Sequence, residues 1–260
     1  MTKISFIDAH LHANNRSTSD FERLAVVGCS GVVGVAGAEG GFDSPQSVLD
    51  HFRRLARIDR PRLERLGLKF YLALGVHPAG IPKHSVAYLL DKLPAALGKY
   101  NAAAVGEIGL QHGGQVEENV LSAQLAIAAD LDLSAIVHTP QLNKKEAVET
   151  TLEILADSSL AAERVLLDHL NSEVIDLVLD SGYMMGLTIH PAKLSPAEAV
   201  ELISKYGSQN FVLSTDLGVN PSYLFGLPAT ISAMQDAKFT DSDIRKVVHD
   251  NISNLMGQLP

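Results

Sequence analysis

The chain opens with an aspartate and two histidines, each separated from the next by one residue, where a first strand is predicted to end. The stretch FIDAHLHANN covers residues 6–15 and contains Asp8, His10 and His12. Side chains alternate between the faces of a β-strand, so these three point to the same side. One such trio is equally compatible with a hydrogen-bonded strand end and with a metal site.

Ionisable side chains also end most of the later apolar runs in the chain. The eight runs that read as strands cover residues 3–10, 31–37, 69–77, 102–109, 134–139, 164–169, 183–190 and 210–216. After the first run, the residues of interest at or near their ends are His77, Glu107, His138, Asp168, His169, His190 and Asp216. Each of these alone has an ordinary structural explanation, but the repetition favours a shared site.

Several carboxylates and imidazoles buried at one place need a compensating charge, because their desolvation costs several kcal/mol. A bound metal supplies it. Imidazole and carboxylate ligands without cysteine suit a borderline cation, with zinc first and Mn²⁺, Fe²⁺ or Ni²⁺ as alternatives. The candidate ligands outnumber those of one tetrahedral ion that keeps an open position, so two divalent ions sharing a carboxylate fit better. A water between them is then the expected nucleophile, and Asp216 its proton acceptor.

Helical segments separate the apolar runs, which predicts a (β/α)₈ TIM barrel in a single domain over residues 1–260. Amphipathic patterns cover residues 117–131, 144–158 and 172–182, and residues 195–207 carry a capping box, a proline at the first turn and a closing glycine. A doubly wound open sheet is the competing architecture. The absence of a glycine-rich phosphate loop after the first strand weakens it.

Residues 39–65 form a longer insertion after the second strand, predicted to be a loop and a helix over the rim of the barrel. In a barrel the carboxyl ends of all strands meet at one face, where active sites form. The strand-end residues are therefore predicted to converge.

Charge and composition limit the partners. The net charge of −9 argues against a large phosphate-backbone interface, so nucleic acid is not an expected partner. The lone cysteine, Cys29, forms no internal disulfide, which fits a cytoplasmic location, and its apolar neighbours predict a buried structural thiol. No apolar stretch is long enough to suggest a membrane span. A small-molecule substrate is expected, and the oligomeric state, a homo-oligomer included, stays open.

The motifs in order resemble a known family. They are DAHLH, GVHP, AVGEIGL, IVHT, DHLN, STDLG and a terminal HDNISNLMG. This series resembles the TatD-related metal-dependent hydrolases of the amidohydrolase superfamily, and most closely a branch of TIM-barrel metal hydrolases from archaea and some bacteria. The resemblance extends over essentially the whole chain.

The resemblance implies a binuclear centre in a TIM barrel. His10, His12 and Asp216 would hold one ion, His138 and His169 the other, and Glu107 would bridge them. Glu107 and Asp216 are then the expected catalytic residues, and His77 would stand near the substrate. Two departures put nuclease specificity in doubt: Gln111 replaces the aspartate that follows GEIGL in DNase-type members, and DHLN replaces a motif of the His-Cys-Phe type.

The expected reaction is hydrolysis of a small polar substrate, with a phosphoester favoured by cations near the predicted rim: Arg16, Lys83, Lys144, Lys145 and Lys193. Lys193 stands out because it directly follows the seventh strand. His190 and Arg16 complete the predicted substrate-binding set. Lactone or cyclic amide hydrolysis at the same centre is the alternative. A TatD-type DNase and a non-catalytic barrel are less favoured, because every predicted ligand is present.

Overall fold

Eight parallel strands, hydrogen-bonded in chain order, form the centre of the protein. The computed structural model describes residues 4–38 and 41–257. The strands are β1 (Phe6–Leu11), β2 (Cys29–Val35), β3 (Lys69–Ala73), β4 (Ala104–Gly109), β5 (Ser134–His138), β6 (Val165–Leu167), β7 (Met184–Thr188) and β8 (Phe211–Ser214). Asp216 N donates to His10 O at 3.0 Å and His12 N to Leu217 O at 2.8 Å, which joins the last strand to the first. The predicted (β/α)₈ barrel is confirmed, and the open sheet is excluded.

Helices follow the strands around the outside of the barrel. They are α1 (Thr18–Val27), α2 (Pro45–Arg54), α3 (Arg60–Glu64), α4 (Val86–Tyr100), α5 (Gln115–Asp130), α6 (Lys144–Ala156), α7 (Ile175–Val178), α8 (Pro196–Tyr206), α9 (Gly226–Asp236), α10 (Asp241–Arg245) and α11 (Asn251–Met256). The helical patterns predicted in α5, α6 and α8 are confirmed. In α8, Ser195 and Glu198 form the predicted capping box.

The segment 172–182 contains a much shorter helix than its apolar pattern predicts. Only the four residues of α7 are α-helical. The hydroxyl of Ser181 donates to Val178 O at 2.6 Å, and Gly182 has a φ of +80°. A side-chain hydroxyl that donates to a backbone carbonyl, followed by a residue in the left-handed conformation, ends the helix early.

Apolar residues fill the barrel below its mouth. One buried cluster lies inside the strands and includes Ile7, Val33, Tyr71, Ile136 and Val212, and the α11 residues Ile252, Leu255 and Met256 pack against it. Ser134 Oγ also donates to Leu255 O at 2.6 Å. The carboxy-terminal helix thus packs against the interior apolar cluster, whereas the buried histidines and the buried Glu107 and Asp168 lie at the carboxyl ends of the strands.

The insertion after β2 contains the predicted helix, which runs without a break over residues 45–64 and includes α2 and α3. Residues 39–40 lie outside the described part of the chain, and α2 and α3 are joined by a π-helical turn at Leu55–Asp59. Arg62 donates to Ala13 O at 2.6 Å and to Arg16 O at 2.9 Å, which ties the insertion to the loop after β1. These hydrogen bonds to the loop after β1 thus hold α3 in place.

Cys29 is buried in β2, and burial raises the pKa of its thiol to about 12. A thiol that stays protonated is a poor nucleophile, in agreement with the predicted structural role. Among the helices in residues 4–38 and 41–257, none combines the length and the apolar character needed to cross a membrane.

Candidate metal centre

The carboxylate of Glu107 lies at the centre of a group of five histidines at the barrel mouth. Its side chain is 2% exposed, and β4 carries it to the carboxyl end of the sheet. Oε1 is 2.7 Å from His138 Nδ1 and 3.2 Å from His169 Nε2. Oε2 is 3.4 Å from His10 Nε2, 3.6 Å from His77 Nε2 and 4.0 Å from His12 Nε2. The two oxygens of one carboxylate therefore face two different sets of imidazoles.

Asp216 completes the set on the His10 and His12 side. It follows β8, with a φ of +50°, and its Oδ1 is 3.2 Å from His12 Nε2 and 3.8 Å from His10 Nε2. Its Oδ2 accepts from Lys193 Nζ at 2.7 Å. Burial alone would raise the pKa of Asp216, but Lys193 and the two histidines hold it well below the ordinary range. Asp216 is thus an anion with one oxygen turned toward the histidines.

The histidines differ in charge. Burial lowers the pKa of His77 to about 3 and that of His169 to about 4, so both rings are neutral at neutral pH, the form that binds metals. Burial would also lower the pKa of His10, but Glu107 and Asp168 raise it well above the ordinary range. Burial alone would raise the pKa of Glu107, but His10, His77 and His138 hold it well below its usual value. In this state a proton on His10 balances the carboxylate.

The donor set fits a divalent cation. Among the described residues, the buried His10 Nε2 has no hydrogen-bond partner, although it faces Glu107 and Asp216. An orphaned imidazole nitrogen beside two carboxylates is what a cation would satisfy. Three groups have ligand atoms mutually within 4.8 Å: His10 with His12 and Glu107, His77 with Glu107 and His138, and His10 with Asp168 and His169.

Gln111 supports His138 from behind. His138 Nε2 is 3.0 Å from Gln111 Oε1, on the opposite side of the ring from Glu107. The carboxylate of Glu117 accepts from the backbone N–H groups of Gln111 at 2.7 Å and Gly113 at 2.9 Å, which fixes this loop. The residue that departs from the DNase-type pattern is therefore a neighbour of a predicted ligand.

The structure brings together all six predicted metal ligands, namely His10, His12, Glu107, His138, His169 and Asp216, with His77 and Lys193 beside them. A cavity of about 360 Å³ opens over the site, and its walls include His77, His190, Lys193, Gln141 and Asn220. Ligand and substrate roles for these residues stay predictions. His51, His84, His112 and His249 lie outside the three ligand groups found among the described residues.

The other predicted rim cations are not among the residues that line this cavity. Arg16 pairs with Asp20 at 3.0 Å and donates to Gly218 O, and Lys83 is exposed. Lys145 is exposed near Glu149. Lys144 is only 3% exposed. Its Nζ donates to Thr139 Oγ1 and to His169 O, so it supports the backbone of a predicted ligand instead of facing solvent.

Two buried aspartates at strand ends were not among the predicted site residues. Asp8 accepts from Thr215 N at 3.0 Å and from the Thr215 hydroxyl, which fixes the backbone next to Asp216. Asp168 contacts His10 and His169. Both stand one or two residues before a predicted ligand in DAHLH and DHLN, and that adjacency was the available signal.

Comparison with known proteins finds a family that matches this chain. The TatD related DNase family matches residues 7–235. An uncharacterized metal-dependent hydrolase of Methanocaldococcus jannaschii is 37% identical over 246 residues, which cover 94% of this chain and 97% of the relative. The crystal structure of a TatD-like protein from Archaeoglobus fulgidus is similar with a TM-score of 0.78 and 30% identity, covering 90% of this chain and 94% of that one.

A more distant structure shares the fold. The phosphotriesterase homology protein of Escherichia coli, solved with phosphate in its active site, has a TM-score of 0.74 and 16% identity. The match covers 99% of this chain and all of that one.

Proposed function

The chain belongs to the TatD-related DNase family and is a metal-dependent hydrolase, and from that premise we propose that it cleaves a small phosphoester with two divalent ions. The ions would be held at the barrel mouth by His10, His12, Asp216, His138 and His169, with Glu107 shared between them. Zinc is the favoured metal, because the donors are imidazoles and carboxylates without a thiolate.

One observation carries the proposal: the two oxygens of Glu107 face separate groups of histidines. Oε1 faces His138 and His169. Oε2 faces His10 and His77, with His12 further away. A carboxylate that only balanced one protonated histidine would not need a second group of imidazoles at its other oxygen. This division supports a bridging role for Glu107.

When bound, divalent ions supply Lewis acidity, which offsets charge on the substrate oxygens and makes water a stronger nucleophile at neutral pH. The protein's own groups orient the reaction. Lys193 holds Asp216 through Oδ2, which leaves Oδ1 turned toward the centre. From there Asp216 can accept a proton from the attacking water.

The preference for a phosphoester is supported by the cavity wall. Lys193 is 12% exposed there, so its ammonium can contact an anionic substrate group as well as Asp216. The neutral His77 lies beside Glu107 and faces the same cavity. The phosphate found in the active site of the distant Escherichia coli protein is a further, weaker support.

The substrate is proposed to be small. A polynucleotide needs a row of cations along its backbone. Among the described residues that line this cavity, Lys193 is the single lysine or arginine, and the wall otherwise carries histidines, amides and small side chains such as Ala38 and Ala79. Hydrolysis of a lactone or cyclic amide by the same centre remains the alternative reaction.

The test is a substrate screen with the metal-loaded protein. Protein stripped by a chelator and reloaded with zinc, manganese or nickel is assayed with nitrophenyl phosphodiesters and monoesters, lactones, cyclic amides and single-stranded DNA. We expect metal-dependent release of nitrophenol from a phosphoester. For each combination of metal and substrate that shows activity, the matched control is Lys83→Ala. This variant removes an exposed cation that does not line the cavity, and it should keep full activity.

Activity confined to lactones or cyclic amides would replace the phosphoester by the alternative. Cleavage of DNA in preference to every small substrate would contradict the small-substrate proposal. Turnover that is the same in stripped and reloaded protein would contradict the metal-dependent mechanism.

A further inference from the structure

A fully buried carboxylate lies behind the metal centre, on the far side of the His10 ring from Glu107. Asp168 is 0% exposed. Its Oδ2 accepts from His10 Nδ1 at 2.8 Å, whereas His10 Nε2 faces Glu107. Burial alone would raise the pKa of Asp168, but His169 and His10 hold it well below the ordinary range, so it is ionised.

The other oxygen of Asp168 serves the second set of histidines. Oδ1 accepts from the backbone N–H of His169 at 2.7 Å, and the Thr188 hydroxyl lies 3.4 Å away. His169 Nδ1 is 2.7 Å from that same hydroxyl, and His169 Nε2 faces Glu107. Asp168 therefore contacts one histidine on each side of the Glu107 carboxylate.

The backbone around Asp168 and His169 is also fixed. Thr139 Oγ1 donates to Asp168 O at 2.7 Å, and Lys144 Nζ donates to His169 O at 2.8 Å. His169 has a φ of +63°, a conformation that non-glycine residues rarely adopt, so these contacts hold it in place.

The sequence leaves space for the carboxylate. A Cβ on Gly186 of β7 would lie 2.0 Å from Asp168 Oδ1. Any side chain at position 186 would therefore displace that oxygen. The close approach explains a glycine in the middle of a buried strand, where it is otherwise unfavourable.

We propose that Asp168 is a positioning residue that orients ligands of both metal positions at once. It holds the proton of His10 on Nδ1, which leaves the Nε2 lone pair for a metal, and it fixes the backbone from which the His169 ring projects. Carboxylate partners of this kind orient ligand histidines and increase their basicity. This inference rests on the metal centre proposed above.

The direct variant is Asp168→Asn. A carboxylate accepts from two N–H donors, but an amide has one oxygen, so its NH₂ group must face either His10 Nδ1–H or the His169 N–H. The loss of charge also weakens the support of His10. We expect zinc affinity to fall by about 10- to 100-fold at both positions.

Gly186→Ala tests the same contact without changing any charged group. The added methyl should displace Asp168 Oδ1, and zinc affinity should fall, as it does in Asp168→Asn. Gly98→Ala is the matched control, because a Cβ there meets no atom within 4 Å and the residue is exposed on helix α4. It should keep both affinities and fold normally.

The measurement is a competition titration of the metal-free full chain with zinc and a chromogenic chelator, which gives a dissociation constant for each ion. Asp59→Asn controls for the loss of a buried carboxylate whose ion-pair partners are Arg54 and Arg62, and it should lower stability but leave zinc affinity unchanged. Circular dichroism checks the fold of each variant.

A wild type that binds no zinc would overturn the proposed metal centre and this inference together. A wild type that binds two ions, with Asp168→Asn and Gly186→Ala retaining both affinities, would overturn the inference alone. Weakening confined to one position would also contradict it, since the contacts reach both sides of Glu107.

Discussion

Among the carboxylates that are buried almost completely in this barrel, Asp59 and Glu107 have different bases around them. Asp59, 1% exposed in the insertion, pairs with Arg62 at 3.0 Å and Arg54 at 3.5 Å. Glu107, 2% exposed at the mouth, is surrounded by imidazoles, of which His77 and His169 are neutral at neutral pH. Arginine is permanently charged, whereas an imidazolium can lose its proton to solvent when a metal binds its nitrogen.

The difference separates a structural ion pair from a site prepared for a ligand. The protein itself supplies the cations for Asp59, so nothing further has to bind. At Glu107 the compensating charge without a metal is the proton on His10, and a metal ion can replace it. Burial of a carboxylate is therefore not the signal of function; the chemistry of its partners is.

The largest effect is expected from Glu107→Ala. Loss of the shared carboxylate should lower occupancy at both positions, and turnover should fall to the background of stripped wild-type protein. Elemental analysis of the purified variant, beside wild type with close to two ions per chain, is the measurement. Full metal content in the variant would show that Glu107 is not the bridge and that, like Asp59, it is not needed for metal binding.

A smaller but still large effect is expected from Asp216→Asn. The amide keeps one ligand oxygen but cannot accept a proton at neutral pH, so turnover should fall by about 10²–10⁴-fold while much of the metal and the fold remain. His138→Ala is its counterpart and should lose an ion as well. Kinetics and metal analysis on both variants decide the matter, and near-normal turnover by Asp216→Asn would refute its role as proton acceptor.

Zinc should stabilise the protein by binding at the Glu107 site, and loss of the Asp59 carboxylate should not change this effect. A ligand that binds the folded state at 100 times its dissociation constant adds about 2.7 kcal/mol to the free energy of unfolding at each site. Thermal or urea unfolding of metal-free wild type with added zinc should show this gain, and Asp59→Asn should show it in full. A gain of the same size in Glu107→Ala would place the zinc elsewhere.

The smallest effect is expected from Asp59→Asn. Removing one partner of this ion pair leaves Arg62 and Arg54 partly exposed to solvent, so we expect a loss of about 1–3 kcal/mol in the free energy of unfolding. Urea unfolding measures it, while metal content and turnover should match wild type. Loss of bound metal in this variant would mean that the two carboxylate sites are coupled.

The barrel could be predicted from the sequence because its signal is local. Each strand is a short run of buried apolar residues, and the order of strands and helices specifies the architecture. The length of α7 could not be predicted, because a hydroxyl contact from Ser181 and the left-handed Gly182 end it. The helix of the insertion could be predicted, but the Arg62 contacts that hold its last turns against the loop after β1 could not, because a local pattern does not reveal them.

The candidate ligands could also be identified, since they stand at strand ends that a barrel brings together. Their supporting partners could not, because those contacts depend on closure. His10 and Asp168 are 158 positions apart and meet only when β1 and β6 face the same mouth. Lys144 looked like a rim cation, but it is buried against His169 O. Gly186 in the middle of β7 was the one sequence sign of a close approach there.

We propose that one carboxylate, Glu107, holds two metal ions, one on each oxygen. Anomalous diffraction at the zinc edge from crystals of the zinc-loaded protein tests it most directly. We expect two peaks, one between Oε1 and the His138 and His169 rings, the other between Oε2 and the His10 and His12 rings. A single peak, or two peaks that do not both contact Glu107, would contradict it.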